Sequence, residues 1–338
     1  MSDKPRLDQF YTNDDVVQQC LELVALEEYD VIVEPSAGSG AFYMHLPIDK
    51  RVGVDLDPAY DGVIEQDYFK FVEIAGACQM LPVKDKNYLV VGNPPFGKNS
   101  SLARKFFNAS ARFADTIAFV LPRTFRKPST INQLNEYFHL SKEIRLPNNS
   151  FHLPDGKKHD VPCVFQIWEK RTRTRARIVT VTDCKDFKFI EAAKNGIQAY
   201  TLKIKDRRSE TEITKEGITP ADYDRYKRFR SIEVVVVNTL KVPTLADKET
   251  QRRQANLCIR RVGANAGQLY DDYMIKERDW KSHYYIKSKN AAVSDTLSKI
   301  EWNDKSGKYD TAGNPSISKN ELIQNYYKTK KSLRKDRK

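Results

Sequence analysis

No run of about 18 apolar residues occurs in the chain, the length a helix needs to cross a bilayer, so no membrane span is expected. The opening residues, "MSDKPRLDQF", lack the apolar core of a secretory signal. Cysteine is scarce. Cys20, Cys78, Cys163, Cys184 and Cys258 are odd in number and scattered, and no CxxC pair occurs. That argues against a disulfide framework and against a zinc site. No internal repeat is visible. The composition, with 11% aromatic residues, is that of a folding chain rather than a disordered one. A reduced, intracellular globular protein without a bound metal is expected.

Acidic and basic residues are unevenly shared. Net charge is +12 over 338 residues. Residues 1–168 hold 18 Lys+Arg against 22 Asp+Glu, and residues 169–338 hold 39 against 23. The whole positive excess lies in the second half, which suggests a near-neutral catalytic half and a half that meets a polyanion.

The first half alternates strand-like and helix-like patterns. "DVVQQCLELVAL" puts Val16, Cys20 and Leu23/Val24 on one helical face, with Asn13 or Asp14 as N-cap. "YDVIVEPSAGSG" is a β-branched strand running into a small-residue turn and then a helix-like stretch. "RVGVDLDP" is a second strand, ending in acids, and "NYLVVGNPPF" a third, too apolar to have a wet face. "SSLARKFFNASARF" spaces Leu102, Phe106, Ala109 and Phe113 at helical intervals, and "TIAFVLP" is another buried strand. "KEIRLPNNSF" and "VPCVFQIWEK" follow with no helix between them. Apolar strands alternating with helices predict an α/β fold: a parallel sheet with helices on both faces, closed at one edge by an antiparallel hairpin.

After Trp168 the texture changes to a basic α+β region. "KRTRTRARIVTVTD" alternates Arg171, Arg173, Arg175 and Arg177 with other residues. As a strand it would put the four arginines on one face; as a linker it would simply be exposed, and both readings stand. "SIEVVVVNTL" reads as a buried strand, and Gly263 and Gly267 mark a turn. "WKSHYYIKSK" mixes aromatics with Lys281, Lys287 and Lys289. The final "KTKKSLRKDRK" has seven basic residues in eleven and is expected to be frayed or disordered.

Two motifs suggest chemistry. In "EPSAGSG", Gly38 and Gly40 permit a tight turn and close approach of a ligand to the backbone. The motif lacks the lysine of a phosphate-binding P-loop and is not the usual dinucleotide pattern. Asp55, seventeen residues after Gly38, ends the second strand, where a carboxylate can accept from both hydroxyls of a ribose; alone it could equally cap a helix. Asp67, in "EQDYF", is placed to accept from an adenine amine, with Tyr68 or Phe69 packing beside the ring; a surface acid next to a core aromatic is the simpler alternative. The second motif is "VVGNPPFGKN", residues 90–99, where two prolines follow an apolar run. An exocyclic amine on a base is a poor nucleophile because its lone pair is delocalised into the ring. Two acceptors aimed at its N–H bonds would localise that pair. The side-chain oxygen of Asn93 and the carbonyl of Pro94 can supply both, the prolines fixing the carbonyl's direction. The ring of Phe96 can stack on an extruded base. None of the five histidines pairs obviously with these motifs.

The set "DQFYT", "EPSAGSG", "GVDLDP", "QDYF" and "NPPFG" resembles the class I S-adenosylmethionine-dependent methyltransferases, and more narrowly those that methylate the N6 amine of adenine in DNA. The match covers roughly residues 8–170. The resemblance implies a Rossmann-like sheet and S-adenosylmethionine as cofactor. Tyr11, Thr12, Glu34, Pro35, Ser36, Gly38 and Gly40 would cradle the cofactor, Asp55 would hold its ribose and Asp67 its adenine, and Leu56 and Tyr68 would also contact it. Asn93, Pro94, Pro95 and Phe96 would form the catalytic tetrad, with Phe96 where the family more often has Tyr. Phe151, in "NNSFHLP", would sandwich the flipped base. Lys157 and Lys158 would touch phosphate or lie in an exposed loop, and Arg171, Arg173 and Arg175 would contact the substrate. Residues 1–170 would be the catalytic domain, 171–327 a target-recognition region and 328–338 a basic tail. The expected activity is adenine-N6 methylation of DNA, as in restriction–modification, in the cytoplasm or wherever the nucleic acid resides. Methylation of adenosine in RNA, of a glutamine amide in a protein, or non-catalytic nucleic-acid binding are the alternatives.

Overall fold

The apolar runs of the first half become one seven-stranded sheet. In the computed structural model of the chain, the described residues are 11–78, 83, 85–153, 156, 158–190, 197–207, 209, 211–229, 231–242, 254–270, 278–279, 281–311 and 314–335. The elements run β1 (Tyr11–Thr12), α1 (Asp14–Leu21), β2 (Val31–Glu34), β3 (Arg51–Asp55), β4 (Ile64–Glu65), α2 (Tyr68–Ala77), β5 (Tyr88–Gly92), α3 (Ser101–Ser110), β6 (Thr116–Pro122), α4 (Pro128–Ile131), β7 (Phe138–Arg145), β8 (Phe151–His152), β9 (Lys158–His159) and β10 (Cys163–Lys170). The sheet order is β4-β3-β2-β5-β6-β10-β7. β4, β3, β2, β5 and β6 pair in parallel, and β10 runs antiparallel to both β6 and β7. This is the predicted α/β sheet with its antiparallel edge. β5 and β6 are buried at every residue, as strands covered on both faces must be.

Local rules account for most helix ends. Asp67 caps α2, its Oδ1 accepting from the Lys70 N–H at 3.0 Å. Asp14 and Asp15 sit in the first turn of α1, where the helix dipole favours negative charge, and Val16 and Cys20 are buried as expected. The helix expected after the glycine turn is absent. Only a single 3₁₀ turn, Tyr43–His45, forms there. Pro47 explains this: it lacks an N–H and forces Leu46 into an extended conformation, which ends any helix before it can elongate.

The chain divides into two compact units, Met1–Thr180 with Asn303–Ser316, and Val181–Trp302 with Ile317–Lys338. The boundary lies ten residues beyond the expected 170/171, and a late segment returns to the first unit. Within that unit two aspartates clip the segment in place. Asp310 Oδ1 accepts from Arg126 Nη1 at 2.6 Å, and Arg145 pairs with Asp304. Arg126 also meets Glu143 at 3.2 Å, whose other oxygen accepts from the buried Gln166 amide at 2.7 Å.

The second unit holds β11 (Lys188–Ile190), β12 (Ile197–Asp206), β13 (Glu212–Ile218), α5 (Pro220–Lys227), β14 (Ile232–Val242), β15 (Leu257–Arg260), β16 (Leu269–Tyr270), β17 (His283–Lys287), α6 (Ala291–Ser298) and α7 (Lys319–Lys335). They form the sheets β11-β17-β15-β16 and β13-β12-β14. Leu257, Ile259, Tyr284 and Ile286 of the first sheet share a core with residues of α6 and α7, including Leu297, Leu322, Ile323 and Tyr326. Two sequence readings are corrected here, and one left open is resolved in favour of a linker. Residues 171–187 form no strand. β14 is not buried: Val235 and Val237 are 50% and 48% exposed, because β14 is an edge strand with a wet face. Residues 328–335 are not frayed but continue α7, which Leu322, Ile323 and Tyr326 anchor and whose last-turn cations suit the dipole.

Arg126→Gln should strip Asp310 of its cation and destabilise the first unit by about 1–3 kcal/mol, read as a lower urea midpoint.

Candidate active site

β2 lies between β3 and β5, so the chain leaves β2 toward one side of the sheet and returns on the other. Loops leaving the carboxyl ends of such strands diverge and open a crevice. A cavity of about 270 Å³ occupies it, bordered by Thr12, Glu34, Ser36, Gly38, Asp55, Asp67 and Asn93 among others.

The carboxylates hold the cavity's shape. Asp55 Oδ2 accepts from the Gly38 N–H at 2.8 Å, and its Oδ1 accepts from the Asp57 N–H at 2.9 Å. Gly38 has φ +52°, so the turn it makes is tied directly to the end of β3. Glu34, at the end of β2, is 2% exposed, and its Oε2 has no hydrogen-bond partner. Burial pushes its carboxyl well above the ordinary range, against a hydrogen bond from the Tyr43 backbone that lowers it, and the neighbouring Asp55 raises it further. Glycine suits the position opposite: Gly92 has φ +149°, and a Cβ there would lie 3.1 Å from Glu34 Cγ, close enough that the carboxylate side chain would have to give way slightly.

The Asn-Pro-Pro-Phe corner leaves the end of β5. Asn93 Nδ2 donates to Thr12 Oγ1 at 3.1 Å, which fixes the orientation of the amide, and Ser36 Oγ donates to the Asn93 carbonyl at 3.2 Å. Glycine turn, N-terminal strand and corner are thereby bonded to one another. The Phe96 carbonyl accepts from the N–H groups of Leu102 and Ala103 at 3.1 and 3.3 Å, anchoring the start of α3. Between them Asn99 and Ser100 take left-handed φ values of 54° and 58°. Consecutive left-handed residues other than glycine store strain, on the order of 1–2 kcal/mol each, next to the corner. Ser100 is buried and its hydroxyl shares a 2.7 Å hydrogen bond with that of Thr124.

One wall is aromatic. Tyr68 stacks on Phe106 with centroids 5.3 Å apart and planes 5° apart, and Phe69 meets Phe106 edge-on at 4.9 Å. Burial raises the Tyr68 phenol, whose oxygen pairs with Ser110 Oγ at 2.9 Å. Four carboxylates, from Glu34, Asp55, Asp57 and Asp67, border the cavity, and among the described residues no Lys, Arg or His does. Such a lining disfavours phosphate and favours a ligand with positive charge or hydrogen-bond donors.

No protein-family model matches the chain, and no curated protein matches it. Solved structures do. A protein from Pyrococcus horikoshii provisionally assigned as an RNA methyltransferase is 18% identical, with 50% of this chain and 91% of that one covered and a TM-score of 0.33. The modification subunit of a provisionally assigned type I restriction enzyme from Vibrio vulnificus YJ016 is 14% identical over 70% of this chain and 59% of that one, TM-score 0.37. The 23S rRNA methyltransferase ErmE is 12% identical over 49% and 71%, TM-score 0.34. Likenesses this distant leave the chemistry of the pocket to be read from its own residues.

Of the residues expected at the site, Tyr11, Thr12, Glu34, Pro35, Ser36, Gly38, Asp55, Leu56, Asp67, Tyr68, Asn93 and Pro95 border the cavity. Gly40 does not: its φ of +86° and a Cβ position 2.9 Å from the Tyr60 ring make it a packing requirement. Pro94 is buried behind the corner, and the Phe96 ring, 9% exposed, belongs to the core rather than to an open stacking face. Phe151 is 1% exposed and pairs with Thr12 between β8 and β1, so it supports the strand carrying Thr12 and offers no ring to a base. Lys157 and the side chain of Lys158 lie outside the described residues. Arg171 and Arg173 are exposed, but Arg175 is structural. Its guanidinium donates to the carbonyls of Ile131, Leu134 and Phe138 at 2.6, 2.7 and 3.2 Å. Asp57, Gln66 and Phe106 border the cavity without having been expected there. Asp57 was visible as the second acid of "DLD"; Phe106 reads from sequence only as a core position.

Arg175→Ala should leave three carbonyls without their donor and lower the melting temperature by several degrees, roughly 1–3 kcal/mol.

Proposed function

We propose that this protein is an S-adenosylmethionine-dependent methyltransferase that modifies nucleic acid, with the N6 amine of adenine in DNA as its acceptor. The observation that carries the reading is one cavity bordered by four carboxylates and no cation that ends on the Asn93 corner. The residues fit the cofactor. It is a cation with a ribose and an adenine, and Glu34, which borders the cavity, keeps a buried carboxyl oxygen without a hydrogen-bond partner. When bound, the cofactor supplies an electrophilic methyl group.

The chain's own residues do the rest. Asp55, at the end of β3, offers carboxylate acceptors to ribose hydroxyls while holding the Gly38 turn. Asp67 caps α2 through one oxygen and offers its carboxylate to an adenine amine beside the Tyr68–Phe106 stack. Asn93, oriented by Thr12, borders the cavity and would accept from one N–H bond of the target amine; Pro94 is buried, so its carbonyl could take the second N–H only where the corner opens to admit the base. That is preorganisation rather than proton abstraction, so no histidine is needed and the proton departs to solvent after transfer. DNA is the polyanion that the basic second half and base extrusion together suit.

Asn93→Ala should keep cofactor affinity within about twofold and lower methyl transfer to duplex DNA by 100-fold or more. Undiminished turnover would reject the corner's role, and transfer to single-stranded RNA but not duplex DNA would replace the acceptor. Cofactor affinity should also rise with pH. The Glu34 carboxyl, raised by burial, is protonated in the empty pocket at low pH, and the cation favours its ionised form. Glu34→Gln should flatten that dependence in calorimetry.

A further inference from the structure

The helix α7 has two unlike faces. Leu322, Ile323 and Tyr326 are buried in the core of the second unit. Lys330, on the flank of that face, is bound to Asp186 at 2.6 Å, a contact that lowers the Asp186 carboxyl. The outward face carries Tyr327, Lys328, Lys331, Arg334 and Lys335, all exposed. At 100° per residue these five fall within one stripe, about 12 Å long. Tyr327, Lys331, Arg334 and Lys335 border an open groove along it. Among the described residues, none of the four outward cations makes an ion pair within 4 Å.

This is an unusual concentration of charge. Residues 317–338 hold eight Lys/Arg against two Asp/Glu, half of the chain's net +12. Cations three and four apart on a helix repel one another and weaken it. Asp186 binds Lys330 at the inner flank and also acts on Arg334 through its charge, without a contact within 4 Å; the remaining repulsion along the outward stripe is what a polyanion would remove.

We infer that the outward face of α7 is a docking surface for the phosphate backbone of double-stranded nucleic acid, with Lys328, Lys331, Arg334 and Lys335 each neutralising a phosphate. Tyr327 lies beside them with its hydroxyl accepting from the Lys185 N–H at 3.1 Å, which restrains its side chain. The stripe contacts no base edge, so it adds affinity and a salt-dependent approach and leaves sequence choice to other residues. The inference rests on the proposal that the substrate is nucleic acid, but not on the chemistry of the cavity.

The test replaces the four cations by glutamine (K328Q, K331Q, R334Q, K335Q) in the full chain. Fluorescence anisotropy then follows binding to a duplex oligonucleotide across a salt series. Four lost phosphate contacts should reduce the slope of log K against log salt by about 3 to 4. Far-UV circular dichroism should show the helix retained, and cofactor binding should be unchanged. A second variant, Lys331→Gln with Lys335→Gln, should remove about half of that slope, which guards against loss of the helix in the first. An unchanged slope in the smaller, folded variant would overturn the inference. So would four-cation-dependent binding to phosphatidylserine vesicles with no effect on the duplex. A normal salt slope without methyl transfer would sink the enzymatic proposal and leave the surface standing, whereas methyl transfer with an unaltered slope would do the reverse.

Discussion

A nearly buried carboxylate with an unpartnered oxygen is the costly feature around which the first unit is arranged. Ionised and alone, such a group opposes folding by several kcal/mol; protonated, it is tolerated, and that is the direction in which burial and Asp55 push Glu34. Its position is also enforced. Gly92 leaves it room, β2 presents it at the switch point, and the Tyr43 backbone holds one side. Among the described residues the lining supplies no Lys or Arg to neutralise it. A ligand of fixed positive charge relieves this arrangement and a nucleotide phosphate aggravates it. The proposed class of cofactor follows from that asymmetry more than from the glycine turn, which by itself suits many ligands.

The corner after β5 depends on the same economy of rigid contacts. Asn93 is oriented by Thr12, Thr12 is positioned by the pairing of β1 with β8, and that pairing is seated by the buried ring of Phe151. A residue without access to the cavity therefore matters to it through two intermediates. On the other side Phe96 seats α3, and the left-handed pair Asn99–Ser100 absorbs the misfit between corner and helix. Strain next to a set of fixed acceptors is what a site built on geometry should show. The corner itself, Asn93–Phe96, carries no titrating side chain, and the raised carboxyl of Glu34 stands at the end of the neighbouring strand.

Much of this was legible in the sequence because it is local. The runs at 88–92 and 116–122 have no polar alternation, so only a sheet covered on both faces can hold them. The acids at 34, 55 and 67 end strands or begin a helix, and parallel topology brings such ends to one rim. What failed was long-range. The side chain of Phe151 follows from a two-residue pairing with a segment some 140 positions away, and no periodicity announces that. Arg175 looks like its neighbours in an alternating basic run, yet three carbonyls of the first unit claim it. Residues 328–335 have the composition of a solvated tail, but the anchor that makes them helical lies in the preceding two turns.

The division into units sharpens the charge argument beyond the simple halves of the chain. Counted by unit, Met1–Thr180 with Asn303–Ser316 holds 25 basic and 25 acidic residues, and the remainder holds 32 and 20. The first unit is neutral and the second carries the entire +12. The proposed activity needs opposite fields: a cavity that attracts a cation, and a surface that attracts phosphates. On one surface, within the roughly 8 Å over which charges act at physiological salt, each field would weaken the other. A lysine beside Glu34 would lower its carboxyl and repel the cofactor; an aspartate among the cations of α7 would cancel a phosphate contact. The two charge balances fall to different units, neutral in one and strongly basic in the other. The return of residues 303–316 to the first unit fits this rule, since that segment brings two acids and two bases and leaves the neutrality of the unit unchanged.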